Sequence, residues 1–157
     1  MSEELLVKSG TKKEQYDSLL PQLVGLVEGE SDLIANLANI TAALKEQFGW
    51  LWVGFYLVKN NELVLGPFQG PIACTRIQKG RGVCGNSWAS AKIVIVKDVA
   101  SFPGHIACSS SSRSEIVVPI IRNHEVVGVL DVDSRELNQF DETDALYLGR
   151  IIEIIKF

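Results

Sequence analysis

Three cysteines, Cys74, Cys84 and Cys108, are the residues of this chain whose chemistry first needs an explanation. A cysteine thiolate is a nucleophile and a redox-active group, and it is favoured near exposed backbone N–H groups or a helix N-terminus. Cys108 lies in a serine-rich stretch, so we expect an exposed thiol in polar surroundings. Cys84 lies at the start of a predicted helix, and its apolar neighbours indicate partial burial. For any one of the three alone, packing as a small apolar side chain is an equally good explanation.

A zinc site is the second alternative explanation for the cysteines. His105 and Cys108 have the H-x-x-C spacing of half a zinc site. Structural zinc sites usually take their ligands in close pairs, but the three cysteines lie 10 and 24 residues apart and no C-x-x-C pair occurs. We therefore expect no metal ligands in this chain.

Carboxylates form the second chemical feature, at the end of the apolar run from Val127 to Ser134. Asp131 and Asp133 are separated by one residue, so their side chains share one face of the predicted strand. Glu115 begins the predicted partner strand. Three carboxylates at one end of a sheet would repel each other, and they could bind an ammonium group or retain a proton. The simpler alternative is that Asp133 caps the following turn while Asp131 is solvated.

The hairpin register decides whether the three carboxylates converge. A two-residue turn at Asn123 and His124 with a regular ladder would turn Glu115 away from Asp131 and Asp133. Convergence requires a loop with an odd number of residues or a β-bulge, and bulges are frequent beside active sites. We therefore expect a three-residue connection or a bulge in this hairpin, with Glu115 facing the same pocket.

Aromatic residues crowd the first predicted strand. Trp50, Trp52 and Tyr56 share one parity, so we expect them on one face, with Phe55 packed in the core. Core packing is the simple explanation for all of them. A tryptophan with a nearby tyrosine can equally line a small-molecule pocket, in which aromatic walls surround a few polar groups.

The elements that position these residues follow from hydrophobic periodicity. Apolar stripes predict a helix from Lys12 to Val27, which Pro21 either bends or begins, and a second helix from a cap at Ser31 or Asp32 to Phe48. Strands are predicted at 51–58, 63–68, 93–96, 115–121 and 125–133, with a short helix at 83–90, a long loop at 101–114 and a closing helix from 141 to about 156. Helices at both ends with hairpin-linked strands between them predict an α+β fold, an antiparallel sheet covered by helices.

Composition and charge narrow the function classes. The 157 residues, 46% of them hydrophobic, predict a single domain over 1–157. The net charge of -4 is spread along the chain and argues against a nucleic-acid partner. The segment from Met1 to Lys8 lacks the features of a signal peptide, and no apolar run is long enough for a membrane span. These features predict a cytosolic protein, in which a disulfide is more often transient and catalytic than structural.

Five stretches of the chain resemble the free methionine-R-sulfoxide reductases, a branch of the GAF domain superfamily. The resemblance covers nearly the whole chain, and a generic GAF sensor needs none of the three cysteines. The stretches are G-W-L-W-V-G-F-Y at Gly49 to Tyr56, G-P-F-Q-G-P-I-A-C at Gly66 to Cys74, G-V-C-G at Gly82 to Gly85, H-I-A-C-S-S-S-S-R-S-E at His105 to Glu115, and V-L-D-V-D-S at Val129 to Ser134.

The resemblance implies a GAF-like fold and a role for each of eight residues. Cys108 would attack the sulfoxide sulfur, Cys74 would resolve the product as a Cys74–Cys108 disulfide, and Cys84 would be auxiliary. From the residues themselves, the order in which Cys84 and Cys108 act stays open. Glu115, Asp131 and Asp133 would bind the amino group and polarise the sulfoxide oxygen. Trp52 and Tyr56 would form the walls of the pocket.

The resemblance also implies partners and a chemical route. The thiol would become a sulfenic acid and then a disulfide, which thioredoxin would reduce, without metal, flavin or nicotinamide. A homodimer and a preference for the R epimer are implied as well. Two alternatives remain: a non-catalytic GAF module that senses a small ligand, and a redox-sensing protein without a substrate.

Overall fold

A computed structural model describes residues 4–106 and 108–157 of the chain. The described residues exclude residues 1–3, which belong to the segment considered for a signal peptide. They also exclude Ala107, which precedes Cys108. In chain order the elements are α1 Lys12–Val27, α2 Leu33–Phe48, β1 Trp52–Lys59, β2 Glu62–Gln69, β3 Arg76–Ile77, α3 Gly82–Ser90, β4 Val94–Val96, a 3-10 helix Val99–Ser101, β5 Ser114–Arg122, β6 Glu125–Ser134 and α4 Glu142–Glu153. The ends of the predicted helices and strands agree with these to within three residues, and the two-residue β3 was not predicted.

The six strands form one antiparallel sheet in the order β3-β2-β1-β6-β5-β4. Apolar side chains of α1, α2 and α4 pack on one face, where they form the larger core with Val53, Phe55 and Leu57 of β1. The other face carries α3 and a smaller core that includes Trp52 and Tyr56. This arrangement confirms the predicted α+β class, and the face with α3 is the one that carries the site.

Side-chain caps explain where three of the helices begin. Thr11, Asp32 and Asp141 each accept a hydrogen bond from a backbone N–H in the first turn of α1, α2 and α4. Asp32 is thus the cap of α2, and Ser31 is not. Pro21 lies inside α1 and does not mark its start. Among the described residues, none of the helices is long and apolar enough to cross a membrane.

The hairpin of β5 and β6 contains the expected bulge. Asn123 and His124 form a two-residue turn with φ of 51° and 64°, as in a type I′ turn. The register then shifts at Val127, which has no partner in the ladder. As a result Glu115 lies directly opposite Asp133, whereas a regular ladder from the same turn would place Glu115 opposite Val132.

The prediction that Trp50 shares a face with Trp52 and Tyr56 was wrong. Strand β1 begins at Trp52, and alternation of faces holds only within a strand. Trp50 precedes the strand and packs in the larger core, where its ring stacks on Phe48 with centroids 4.3 Å apart. Trp52 and Tyr56 do share the α3 face, with ring centroids 5.9 Å apart.

Candidate active site

A pocket opens on the α3 face of the sheet, beneath the loop that contains Cys108. Its walls and floor include seven of the eight predicted site residues: Trp52, Tyr56, Cys84, Cys108, Glu115, Asp131 and Asp133. The eighth, Cys74, reaches the pocket through its bond to Cys108. The fold thus brings together residues from β1, α3, β5, β6 and two loops.

Cys74 and Cys108 form a disulfide, with their Cα atoms 5.8 Å apart. The pairing implied by the resemblance is therefore present in the structure. Cys108 is exposed, and Cys74 is half-buried in the segment between β2 and β3. The bond joins two loops at the pocket mouth, and it removes Cys108 from the H-x-x-C zinc arrangement considered from the sequence.

Trp52 and Tyr56 hold the segment that carries Cys74. The Trp52 indole Nε1 donates a hydrogen bond to the Pro71 carbonyl at 3.0 Å, and the Tyr56 hydroxyl donates to the Cys74 carbonyl at 2.8 Å. Both side chains are nearly fully buried. The two aromatic residues therefore position the Cys74 backbone in addition to lining the pocket, a contribution that the sequence does not reveal.

The three carboxylates converge on the pocket floor. Glu115 opposes Asp133 across the β5–β6 ladder, and Asp131 points into the same pocket from β6. Asp131 is only 7% exposed, so the alternative that it is solvated was wrong. The turn after β6 is capped by the Ser134 hydroxyl, which accepts a hydrogen bond from the Glu136 N–H at 3.1 Å, so Asp133 does not serve that purpose.

Two side chains of the Cys108 loop contact these carboxylates. The Ser112 hydroxyl donates a hydrogen bond to Asp133 Oδ1 at 2.6 Å, and His105 Nε2 lies 3.5 Å from Glu115 Oε2. Both contacts tie the loop to the pocket floor. Sequence reasoning missed both residues in this position, although each lies within four residues of Cys108 and such proximity is a usable signal.

Burial sets the protonation of the carboxylates. It is the main cause that raises the pKa of Glu115 to about 8, and the charge of Asp133 adds to it. Burial, followed by the charge of a neighbouring carboxylate, also raises the pKa of Asp131 and of Asp133 well above the usual value. The pocket floor therefore retains protons at neutral pH. Within the described part of the chain, Asp131 Oδ1 is buried without a hydrogen-bond partner.

Cys84 is a free thiol, 4% exposed, in the first turn of α3. Burial, and then the charges of Asp131 and Glu115, raise its pKa well above the usual value. These effects oppose the helix N-terminus, which favours the thiolate. Cys84 is consequently a protonated, weakly nucleophilic thiol, whereas the exposed Cys108 lacks such burial.

Two glycines fix the geometry around Cys84. A Cβ on Gly85 would lie 2.4 Å from the Gln78 carbonyl oxygen, so the helix can approach the preceding loop only with glycine there. Gly82 has φ of 61°, and a Cβ there would lie 3.0 Å from the Ile106 side chain. The G-V-C-G motif thus packs the start of α3 against the Cys108 loop.

Comparisons with known proteins identify the family of the chain. The GAF domain model matches residues 30–156. The chain is 62% identical to GAF domain-containing protein A of Dictyostelium discoideum, over 99% of both chains. It is 44% identical to the free methionine-R-sulfoxide reductase of Escherichia coli, over 90% of this chain and 86% of that protein.

Among solved structures, the fold matches the free methionine-R-sulfoxide reductase of Neisseria meningitidis in complex with its substrate. The TM-score is 0.95 at 57% identity, over 98% of this chain and 93% of that chain. Sequence, fold and arrangement of the pocket therefore lead to one assignment. The chain belongs to the GAF domain family, in the branch of the free methionine-R-sulfoxide reductases.

Proposed function

We propose that the protein reduces free L-methionine-R-sulfoxide to L-methionine with its cysteine thiols. The observation that carries the proposal is the Cys74–Cys108 disulfide at the mouth of a pocket with three buried carboxylates on its floor. Sulfoxide reduction requires a redox-active thiol and a proton donor in the same pocket. The names of the Escherichia coli and Neisseria meningitidis relatives support the same substrate.

In the proposed mechanism, Cys108 is the nucleophile. Its thiolate attacks the sulfoxide sulfur and forms a sulfur–sulfur bond, and the sulfoxide oxygen is protonated because oxide is a very poor leaving group. The sulfur–oxygen bond then breaks as the hydroxyl oxygen bonds to the Cys108 sulfur, and the sulfur–sulfur bond breaks with its electron pair left on the methionine sulfur. The products are methionine and a Cys108 sulfenic acid. The exposure of Cys108 favours it over Cys84, whose burial and acidic neighbours disfavour the thiolate.

The carboxylates supply the proton and bind the substrate's amino group. With a pKa of about 8, Glu115 is mostly protonated at neutral pH and can donate to the sulfoxide oxygen. Asp131 and Asp133 lie in the same pocket, and the substrate's ammonium group favours the ionised form of the carboxylate that it contacts, against the effect of burial. Trp52 and Tyr56 form the apolar wall against which the methyl-bearing end of the substrate packs.

Resolution and reduction complete the cycle. The Cys74 thiol attacks the Cys108 sulfenic acid, and water leaves as the disulfide forms. A dithiol reductant of the thioredoxin type then reduces the disulfide by exchange and is itself oxidised to a disulfide. A cytosolic location and a homodimeric state complete the proposal on the basis of composition and family resemblance.

Thioredoxin-coupled oxidation of NADPH tests the proposed function. Free methionine-R-sulfoxide should drive NADPH consumption, the S epimer should not, and the Cys108→Ser variant should be inactive. A protein that binds methionine sulfoxide but never turns it over would contradict the proposal and favour a ligand-sensing GAF module. A protein that forms the disulfide with peroxide but not with methionine sulfoxide would favour a redox sensor.

A further inference from the structure

Three potential metal ligands meet at the pocket floor without taking part in the disulfide. The Cys84 thiol from α3, the Glu115 carboxylate from β5 and the Asp131 carboxylate from β6 each place a ligand atom within 4.8 Å of the other two. Neighbouring ligands of a tetrahedral zinc ion lie roughly 3.5 Å apart, given metal–ligand bonds of about 2.0–2.3 Å. The three atoms, within 4.8 Å of one another, would have to approach by at most about 1.3 Å to reach that spacing.

A second observation indicates that this cluster can take a ligand. Asp131 Oδ1 is buried and receives no hydrogen bond from an N–H or hydroxyl group of the described residues; its polar neighbours are the Cys84 thiol and the Glu115 carboxyl of the same cluster. Buried polar atoms almost always have a partner, and an unpaired carboxylate oxygen beside a pocket can accept a cation. Cys84, Glu115 and Asp131 all line the pocket, so a solvated ion can reach them.

We propose that the pocket floor is also a binding site for Zn²⁺, held by Cys84, Glu115 and Asp131, and that the bound ion excludes the substrate. The cysteine spacing in the sequence predicts no metal ligands, because these three residues meet only in the folded chain. The chemistry of the donor set identifies the ion. Zn²⁺ displaces the proton of the Cys84 thiol when it binds. The resulting thiolate selects a soft or borderline metal, whereas Ca²⁺ and Mg²⁺ prefer six or more oxygen ligands. Three protein ligands leave a fourth position that faces the pocket and is available to water.

The exclusion follows from shared ligands. Glu115 and Asp131 belong to the set assigned to proton donation and ammonium binding, so one pocket cannot serve a zinc ion and the substrate together. This part of the proposal rests on the proposed function, but zinc binding itself does not. Because Cys84 lies outside the disulfide, the zinc site exists in the oxidised protein as well as in the reduced one.

Metal titration of the oxidised protein tests the site, because Cys84 is then the single free thiol of the chain. Calorimetry should show saturable binding of one Zn²⁺ per chain, and Co²⁺ should produce the thiolate charge-transfer absorption in the near ultraviolet. Cys84→Ser should weaken zinc binding about tenfold or more and abolish the Co²⁺ band. The matched control, the double variant Cys74→Ser and Cys108→Ser, should retain both signals.

Each outcome decides one part of the proposal. Absence of saturable zinc binding, or equal affinity in the Cys84→Ser protein, overturns the site. If that variant does not fold, loss of zinc affinity in Asp131→Asn supports the site, and unchanged affinity overturns it. Free methionine sulfoxide should weaken the apparent affinity for zinc. If the zinc affinity is the same with and without methionine sulfoxide, the proposal that zinc excludes the substrate is wrong. Failure of the coupled activity assay would contradict the proposed function but leave the metal titration unaffected.

Discussion

Glu115 and Asp133 lie directly opposite each other across the β5–β6 ladder because one extra residue, Val127, is accommodated on β6. Directly opposed residues share a face, so the bulge turns Glu115 toward the two aspartates. The carboxylates are then buried together, and each raises the cost of ionising another. The protonation of the three carboxyl groups therefore depends on a register shift beside the turn of the hairpin, at the end away from the pocket.

The first prediction concerns the disulfide formed during turnover. Reduced enzyme treated with one equivalent of methionine sulfoxide, without reductant, should yield a Cys74–Cys108 bond and leave Cys84 as a free thiol. Cys108 is exposed and bonded to Cys74 in the structure, whereas burial suppresses the Cys84 thiolate. Peptide mapping by mass spectrometry after alkylation measures the pairing. A Cys74–Cys84 bond with Cys108 alkylated would refute the assignment of the nucleophile.

The second prediction concerns the form of the substrate. The enzyme should reduce free methionine sulfoxide far more efficiently than its N-acetylated form. The carboxylates of the pocket attract the ammonium group of the free amino acid, and acetylation removes that charge and adds bulk beside them. The ratio of kcat/KM for the two compounds measures the effect. Comparable values would mean that the carboxylates do not bind the amino group.

Much of this site could be predicted from the sequence, because the signals are local or follow from strand periodicity. The D-x-D spacing places Asp131 and Asp133 on one face, and because faces alternate along a strand Glu115 joins them only through a bulge or a loop with an odd number of residues. The sequence could not decide between those two solutions. An Asn-His turn with both φ angles positive and a bulge at Val127 depend on the twist of the whole sheet.

Other features depend on tertiary contacts and left no readable pattern. Trp50 entered the larger core because β1 begins two residues later than parity would require. The hydrogen bonds from Trp52 and Tyr56 to the Cys74 segment join residues 19 and 18 positions apart, respectively. The contact between His105 and Glu115 likewise exists only after the Cys108 loop has folded over the sheet.

The third prediction is a pH dependence of stability that Glu115 causes. Its pKa rises from the usual 4.5 to about 8 on folding, mainly through burial. Below pH 4.5 the Glu115 carboxyl is protonated in both the folded and the unfolded chain. Between pH 4.5 and 8 it is ionised in the unfolded chain but still protonated in the folded one. Stability should therefore fall across that window as pH rises, by up to about 1.4 kcal/mol per pH unit from this group.

Glu115→Gln removes this titration and serves as the comparison. The variant's free energy of unfolding, relative to that of the wild type, should increase from pH 5 to pH 8, since Asp131 and Asp133 titrate in both proteins. Urea denaturation of the oxidised proteins at several pH values measures the difference. A difference that stays constant with pH would show that the Glu115 carboxyl is not buried in its neutral form.

The last prediction concerns Gly54, the β1 residue opposite Asp131 in the β1–β6 ladder. A Cβ at this position would lie 2.5 Å from the Trp52 ring and 2.4 Å from Phe68 Cβ, so Gly54→Ala must displace the ring that lines the pocket. Overpacking of this kind costs about 1–3 kcal/mol of stability, and the moved ring should raise KM for the substrate. Gly149 in α4 is the matched control, because a Cβ there meets nothing within 4 Å and alanine is favoured over glycine in a helix by about 1 kcal/mol. Thermal denaturation should therefore show that Gly54→Ala lowers stability and that Gly149→Ala raises it. Steady-state kinetics should show a raised KM for Gly54→Ala and an unchanged KM for Gly149→Ala. If Gly54→Ala leaves both stability and KM unchanged, the Trp52 ring is not held in the position that closes the pocket wall.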